Sequence, residues 1–386
     1  MALKLEALRG RILDTDSHEM IPAPRWGEVF GERGARFAES ANDLIQVTEQ
    51  TAQSESFHIA RRYEDDKVIS PESVWGVRGF DAPSAIDINR REATLDEMGI
   101  SRALIFPGMG ILAWVEAHGG GFGGMPLATP ERIKVGFEAL EAFNDWAIEH
   151  KTDRLRIPGI LTAGKPGTTP EDLIKNAGKM IKAGLKVIHI GTGHPPAGVG
   201  FADAALDKFY ATLAEANVSL VTHPPAGWRI MSEEWNRAAP GMTFAVNHHM
   251  GEEQLVGQMA LGGVFERHPT LRVGCIESGA DWIGPLAERL DISLDSQVGG
   301  GMTWPFPLKP SEYINRNVRV SVLAHEPVER WLKRYPEVQN VYCYSSDFPH
   351  SEGQVWSLKK FYERVAPLGD EIVENFFCKN AQLLMP

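Results

Sequence analysis

The sequence has little cysteine: three residues in 386, Cys275, Cys343 and Cys378, with no Cys-x-x-Cys spacing. A disulfide framework is therefore excluded, and a reducing, cytoplasmic compartment is expected. Positive charge is short as well. Lys and Arg number 39 against 51 Asp and Glu, a formal net charge of −12. That balance leaves no electrostatic footprint for nucleic acid. No apolar run approaches the roughly 20 residues a membrane span needs, so no membrane partner is expected. Met1 to Arg11 is mixed and polar, without the apolar stretch of a signal peptide. Low-complexity tracts and short-period repeats are missing too. The 43% hydrophobic and 23% charged content still belongs to an ordinary folded chain.

What is present is alternation. Eight short apolar runs recur: Arg11–His18, Arg102–Pro107, Ile157–Ala163, Lys186–Gly191, Val218–His223, Leu271–Glu277, Val318–Leu323 and Val338–Asp347. Most are apolar on both parities, as parallel strands covered on both faces must be. Helical stretches lie between most of them. Thr94–Met98 closes at Gly99, and Pro130–Glu149 and Pro170–Ala183 both follow a Thr that is placed to cap them. Ala204–Ala216, Glu252–Glu266 and Pro327–Arg334 complete the set. This order predicts an α/β chain, a (β/α)₈ TIM barrel spanning 1–386 as one domain. A doubly wound sheet would carry a Gly-rich turn after its first strand, and here Glu19-Met-Ile-Pro-Ala-Pro24 follows instead. Ile21–Ala93 is too long for one crossover and is read as an insertion or lid. Gly108–Met125 and Gly299–Pro307 are read as loops, the first either a mobile active-site loop or merely irregular.

Barrel chemistry sits at the C-terminal ends of strands. Asp16 and His18 end the first run, two apart, so that both side chains share one face of a strand and form a pincer for a metal. The fifth run ends in His223, stopped by Pro224-Pro225. The eighth ends in Asp347, followed by His350. Asp16, His18, His223 and Asp347 are the expected ligands of one divalent cation, with Zn²⁺ first and Mn²⁺ or Fe²⁺ as alternatives. Each has a plainer reading as a capping Asp or a hydrogen-bonded core His. Asp347 is also the expected proton carrier, and Glu277, ending the sixth run, is a second catalytic candidate, a ligand, or a partner of an imidazole. His194, Trp228 and His350 are the substrate-side candidates. His189 alternates with Val187 and is read as core packing toward the outer helices. Of His248 and His249, at most one should approach the site. Trp282 is read as core or pocket wall.

The same residues carry a family resemblance. Asp14-Thr-Asp-Ser-His18 with Pro22, and Asp96-Glu-Met-Gly-Ile-Ser-Arg-Ala-Leu-Ile-Phe-Pro107, are its first markers. Val221-Thr-His-Pro224, Gly262-Gly-Val-Phe-Glu-Arg-His-Pro-Thr-Leu271, Glu277-Ser-Gly-Ala-Asp-Trp282 and Ser346-Asp-Phe-Pro-His350 follow. Over nearly its whole length the chain resembles the amidohydrolase-related family of the amidohydrolase superfamily. That family includes aminocarboxymuconate semialdehyde decarboxylase and resorcylate decarboxylase. The resemblance implies a distorted barrel and one divalent metal, held at the positions of Asp16, His18, His223 and Asp347. Two departures stand out. The first run has Asp-x-His where several members have His-x-His or Glu-x-His, and Glu277 stands where the decarboxylases carry a catalytic His.

The leading expectation is a metal-dependent hydrolase of a small organic molecule, working through a metal-activated water. The alternative is a non-oxidative decarboxylase of an aromatic or unsaturated acid, with Asp347 giving its proton to carbon. A catalytically inactive scaffold is the rival from another class. Trp331 and Trp356 hint at self-association, and a dimer is what the resemblance implies.

Overall fold

The computed structural model describes residues 3–42, 64–120, 127–224, 246, 248–295 and 304–386. Among them run nine strands. They are β1 Ile12–Asp14, β2 Ile100–Leu104, β3 Leu155–Arg156, β4 Gly159–Ile160, β5 Val187–His189, β6 Ser219–Thr222, β7 Arg272–Cys275, β8 Val318–Val322 and β9 Tyr342–Tyr344. β1 to β3 form one sheet and β4 to β9 another, both in chain order. Every pairing is parallel. β3 and β4 are two halves of one barrel strand, split at Ile157-Pro158, where proline has no N–H to give the ladder. The first and last strands meet, since Thr15 N donates to Tyr344 O at 3.1 Å and His18 N to Phe348 O at 2.7 Å. The architecture is a distorted (β/α)₈ barrel, and each of the eight apolar runs contributes strand residues to it.

The helices start and stop for the reasons their sequences give. Thr129 accepts a hydrogen bond from Arg132 N, and Thr169 and Asp172 cap each other reciprocally. Gly99 closes Arg91–Met98 in the left-handed conformation. The stretch read as Glu252–Glu266 is two helices, Met250–Leu261 and Val264–Arg267, parted at Gly262-Gly263. Gly108–Met125 is not all loop. Met109–Ala117 is a helix buried on nearly every side. With no polar face it shows no helical period, and Gly108 and Gly110 mask it further. It packs against Pro130–His150 at Gly136, where a Cβ would come within 2.6 Å of Ala117 N. Trp26–Ser40 covers the same long helix, with Phe30 against Phe143 and Trp146 and an Arg36–Glu138 ion pair.

The barrel interior is filled by Leu13, Leu104, Phe106, Val187, Val221, Ile276 and Cys343. Ala381, Leu384 and Met385 join this cluster, so the C-terminal segment plugs the end where the strands begin. Four strand arginines hold the plug by its carbonyls: Arg102 on Met385, Arg156 on Pro386, Arg272 on Leu383 and Arg319 on Asn380. Leu384→Ala is expected to destabilise the fold by about 2–5 kcal/mol through the cavity it leaves. A lowered thermal midpoint with unchanged metal content would show this, since the plug lies at the end opposite the site. The three cysteines are buried and free. Among the described residues no helix is long and apolar enough to cross a membrane. Trp356 is 42% exposed, whereas Trp331 stacks toward Tyr342.

Candidate metal centre

β1 stops at Asp14, and the chain continues through a bend at Thr15 to Asp16 and His18. Single parallel bridges hold that path, Ser17 to Phe348 and His18 to Phe106. Asp347 N donates to Asp16 O at 2.8 Å, and Ser17 Oγ donates to Leu104 O at 2.7 Å. Buried Arg91 donates to His18 O at 2.6 Å. Asp14 turns toward the last strand and accepts from both the N–H and the hydroxyl of Ser346. The ends of the first and last barrel strands are thus stitched together beneath the site. The pincer pair is therefore set by these bridges rather than by strand alternation, and both side chains still turn inward.

Six side chains converge above this stitching. His18 Nε2 lies 3.3 Å from Asp16 Oδ1 and 3.3 Å from Asp347 Oδ1. Glu277 Oε2 is 3.8 Å from His18 Nε2 and 2.7 Å from His223 Nε2. His223 Nε2 is 3.7 Å from Asp16 Oδ1, and His350 Nδ1 is 3.2 Å from Asp347 Oδ1. Two groups of four each have their ligand atoms within 4.8 Å of one another: Asp16, His18, His223 and Glu277, and His18, Glu277, Asp347 and His350. Three of the four expected ligands fall in the first group, and Asp347 falls in the second with His350. Glu277 belongs to both, at the centre rather than the margin.

The chemistry of these donors fits a divalent cation. Both oxygens of Asp16, both oxygens of Asp347, and His18 Nδ1 and Nε2 are buried without a hydrogen-bond partner among the described residues. His223 Nε2 and His350 Nδ1 are in the same condition, near carboxylates but out of hydrogen-bond alignment. Three carboxylates whose side chains are 0, 2 and 15% exposed are costly to bury together without a compensating cation. His223 Nδ1 lies 2.7 Å from Pro224 O, and only a ring N–H can make that bond. It fixes the tautomer whose Nε2 lone pair faces the cluster. His350 stacks on His18 at 3.7 Å and Phe106 on His223 at 4.4 Å, which fixes both ring planes.

The electrostatics show the same tension. Burial raises Asp16 to about 6, and burial with Glu277 raises Asp347 to about 6. Burial, helped by His350, lowers His18 to about 4. Burial alone would lower His223 and His350, but Glu277 and Asp16 lift the first to about 10, and Asp347 lifts the second to about 10. Burial alone would raise Glu277, and His223 instead draws it well below the usual carboxylate range. The two central acids also carry backbone strain. Glu277 has φ +58° and Asp347 φ +48°. Such left-handed non-glycine residues cost about 1–3 kcal/mol each and gather at functional sites.

The remaining candidates lie around this cluster. His189 shares the inward parity of Val187 and lines a small cavity with Phe106, Trp114, Ile160 and His223. This corrects its reading as outward packing, since a barrel strand turns alternate residues inside. His194 sits with its ring 5.6 Å from His118. Trp228 lies outside the described residues. Trp282 is core, its indole N–H on Gly279 O. His248 and not His249 reaches the site, its Nε2 lying 2.6 Å from Glu277 O. Sequence reasoning does not find the supports Ser346, Ser321 and Arg91. Asp14 had a signal, since it continues the two-residue spacing of Asp16 and His18.

No family model and no curated protein matches the chain. Solved structures do match, over 97% of it. An amidohydrolase from Mycobacterium avium subsp. paratuberculosis K-10 is 19% identical, with 99% of that chain covered and a TM-score of 0.66. The 5-carboxyvanillate decarboxylase of Sphingomonas paucimobilis is 18% identical, with 98% covered and a TM-score of 0.59. That of Novosphingobium aromaticivorans DSM 12444, complexed with manganese and 4-hydroxy-3-methoxy-5-nitrobenzoic acid, is 16% identical, with 95% covered and a TM-score of 0.59. Likeness at this identity is likeness of fold. The chain has the amidohydrolase fold, a distorted (β/α)₈ barrel.

Proposed function

We propose that this chain is a metal-dependent, non-oxidative decarboxylase of an aromatic or unsaturated carboxylic acid. The observation that carries the reading is the buried cluster of carboxylates and imidazoles with unpartnered donor atoms. The structural likeness to decarboxylases tilts it from hydrolysis, the leading expectation from sequence, toward carbon–carbon cleavage.

Asp16, His18, His223 and Asp347 would hold the cation, with Glu277 as a further donor. A divalent cation bound there supplies a Lewis acid for the oxygens of the substrate; the relative with bound manganese supports Mn²⁺ beside Zn²⁺ and Fe²⁺. Asp347, in its acid form, gives its proton to the carbon that bears the carboxylate. That carbon–carboxylate bond breaks, CO₂ leaves, and the electron pair stays on carbon to form the new C–H bond. Phe106, Trp114 and Ile160 give the site an apolar wall that suits an arene and excludes water. Glu277 Oε2 and His223 Nε2 lie 2.7 Å apart, so a cation held by both would offset the charge of Glu277 toward an incoming carboxylate.

Hydrolysis is the second reading. It is favoured by the amidohydrolase among the similar structures and by Glu277, a carboxylate placed to take a proton from water.

The test is to load the purified protein with Mn²⁺, Zn²⁺ or Fe²⁺ and screen hydroxylated benzoic acids for CO₂ release. Metal-dependent CO₂ supports the reading. Turnover of esters, lactones or amides without CO₂ overturns it. Stripping the cation with a chelator is expected to lower the thermal midpoint. Returning it at about 100 times its Kd should restore roughly 2.7 kcal/mol, because the cation binds only the folded cluster.

A further inference from the structure

Glu277 is held in an unusual way. Its backbone is left-handed, at φ +58°, although it is not glycine. Its N–H donates to Ser321 Oγ at 2.6 Å. Its carbonyl faces His248 Nε2, also at 2.6 Å, and a carbonyl only accepts, so His248 is the donor. The two peptide groups that flank the Glu277 Cα are thus gripped, one each, by side chains from two other parts of the barrel. Ser321 belongs to β8, and His248 lies just before the helix Met250–Leu261. β7 itself stops at Cys275, two residues short of Glu277, so its ladder does not fix this residue.

We infer that His248 and Ser321 are positioning residues that clamp the backbone of Glu277 on both sides of its Cα, so that its carboxylate enters the metal centre. An unstrained backbone at this position would turn the side chain elsewhere, because φ helps decide where Cβ points. The carboxylate lies 2.7 Å from His223 Nε2 and 3.8 Å from His18 Nε2, and it is common to both ligand groups. The clamp therefore acts on the cation through Glu277 and makes no contact with it. It also gives a role to one member of the His248-His249 pair. His249 instead lies parallel to the Trp282 ring, 6.4 Å away. The inference rests on the metal-centre part of the proposed function and not on decarboxylation.

The experiment is a double-substitution cycle read by Mn²⁺ affinity, using titration calorimetry or the EPR signal of free Mn²⁺, with no substrate. Glu277→Gln, His248→Ala and the double variant are compared with the parent. His248→Ala is expected to weaken Mn²⁺ by about 10–100-fold, the usual effect of losing a partner that orients a ligand. Combined with Glu277→Gln it should add little, because the clamp has nothing left to position. His248→Gln, whose amide N–H can reach the same carbonyl, should restore most of the affinity. Ser321→Ala should weaken binding in the same non-additive way. A general structural defect would add to Glu277→Gln in full and would not be rescued by Gln. Full additivity, or His248→Ala affinity within about threefold of the parent, overturns the clamp. Should His248→Ala fail to fold, Ser321→Ala and its double variant with Glu277→Gln decide the matter by the same additivity. Mn²⁺ binding with no CO₂ from any acid overturns the decarboxylase reading and leaves the clamp standing. Failure of the parent to bind Mn²⁺, Zn²⁺ or Fe²⁺ overturns both.

Discussion

Replacing His18 with alanine is expected to take the bound metal from about one equivalent to nearly none, and turnover with it. His18 Nε2 lies 3.3 Å from carboxylate oxygens on both sides and belongs to both ligand groups. Its ring is fully buried and is fixed by the stack with His350. Lewis-acid stabilisation is worth several kcal/mol, so CO₂ release should fall by about 10³-fold or more. Elemental mass spectrometry of the purified variant checks the first part, and a CO₂ assay the second. His268→Ala is the control. That histidine pairs with Asp207 outside the cluster, and its loss should leave the metal in place.

The second large effect is expected from Asp347→Asn. The amide keeps the shape of the side chain, and the backbone bond from residue 347 to Asp16 O is unchanged. Metal should therefore remain, more weakly held by a neutral oxygen than by a charged one. An amide cannot deliver the acid proton, and general-acid catalysis contributes about 10²–10⁴-fold. The expected result is a fall of that order in kcat with KM little changed. A normal kcat with retained metal would remove Asp347 from the proton step. Loss of both metal and activity would give it a ligand role alone.

Much of this was legible in the sequence, and the reason is physical. Parallel strands buried on both faces must be apolar without interruption, so all eight barrel strands stood out as short runs. Polar residues at the ends of such runs have few places to go except the barrel mouth. Asp16, His18, His223, Glu277 and Asp347 could therefore be picked out without a structure. What could not be read depends on contacts far apart in the chain. The helix Met109–Ala117 is buried all round and so has no periodicity. His189 and Val187 share one parity, but sequence does not say which parity is inside. The grouping of Asp347 with His350 and the central place of Glu277 follow from two left-handed residues. Nothing in the residue types Asp and Glu announces that conformation. The hold of His248 on Glu277 spans 29 residues and ends on a carbonyl, an acceptor that every residue carries.

The most direct test of the central claim follows the atoms. Metal-loaded protein is incubated with the acid that it consumes, once in D₂O and once in H₂¹⁸O, and the product is examined by mass spectrometry. Decarboxylation predicts one molecule of CO₂ per product and one solvent deuteron on the carbon that lost it. It predicts no ¹⁸O in the organic product. A product that carries ¹⁸O, with no CO₂ released, would contradict the account and give the site to hydrolysis.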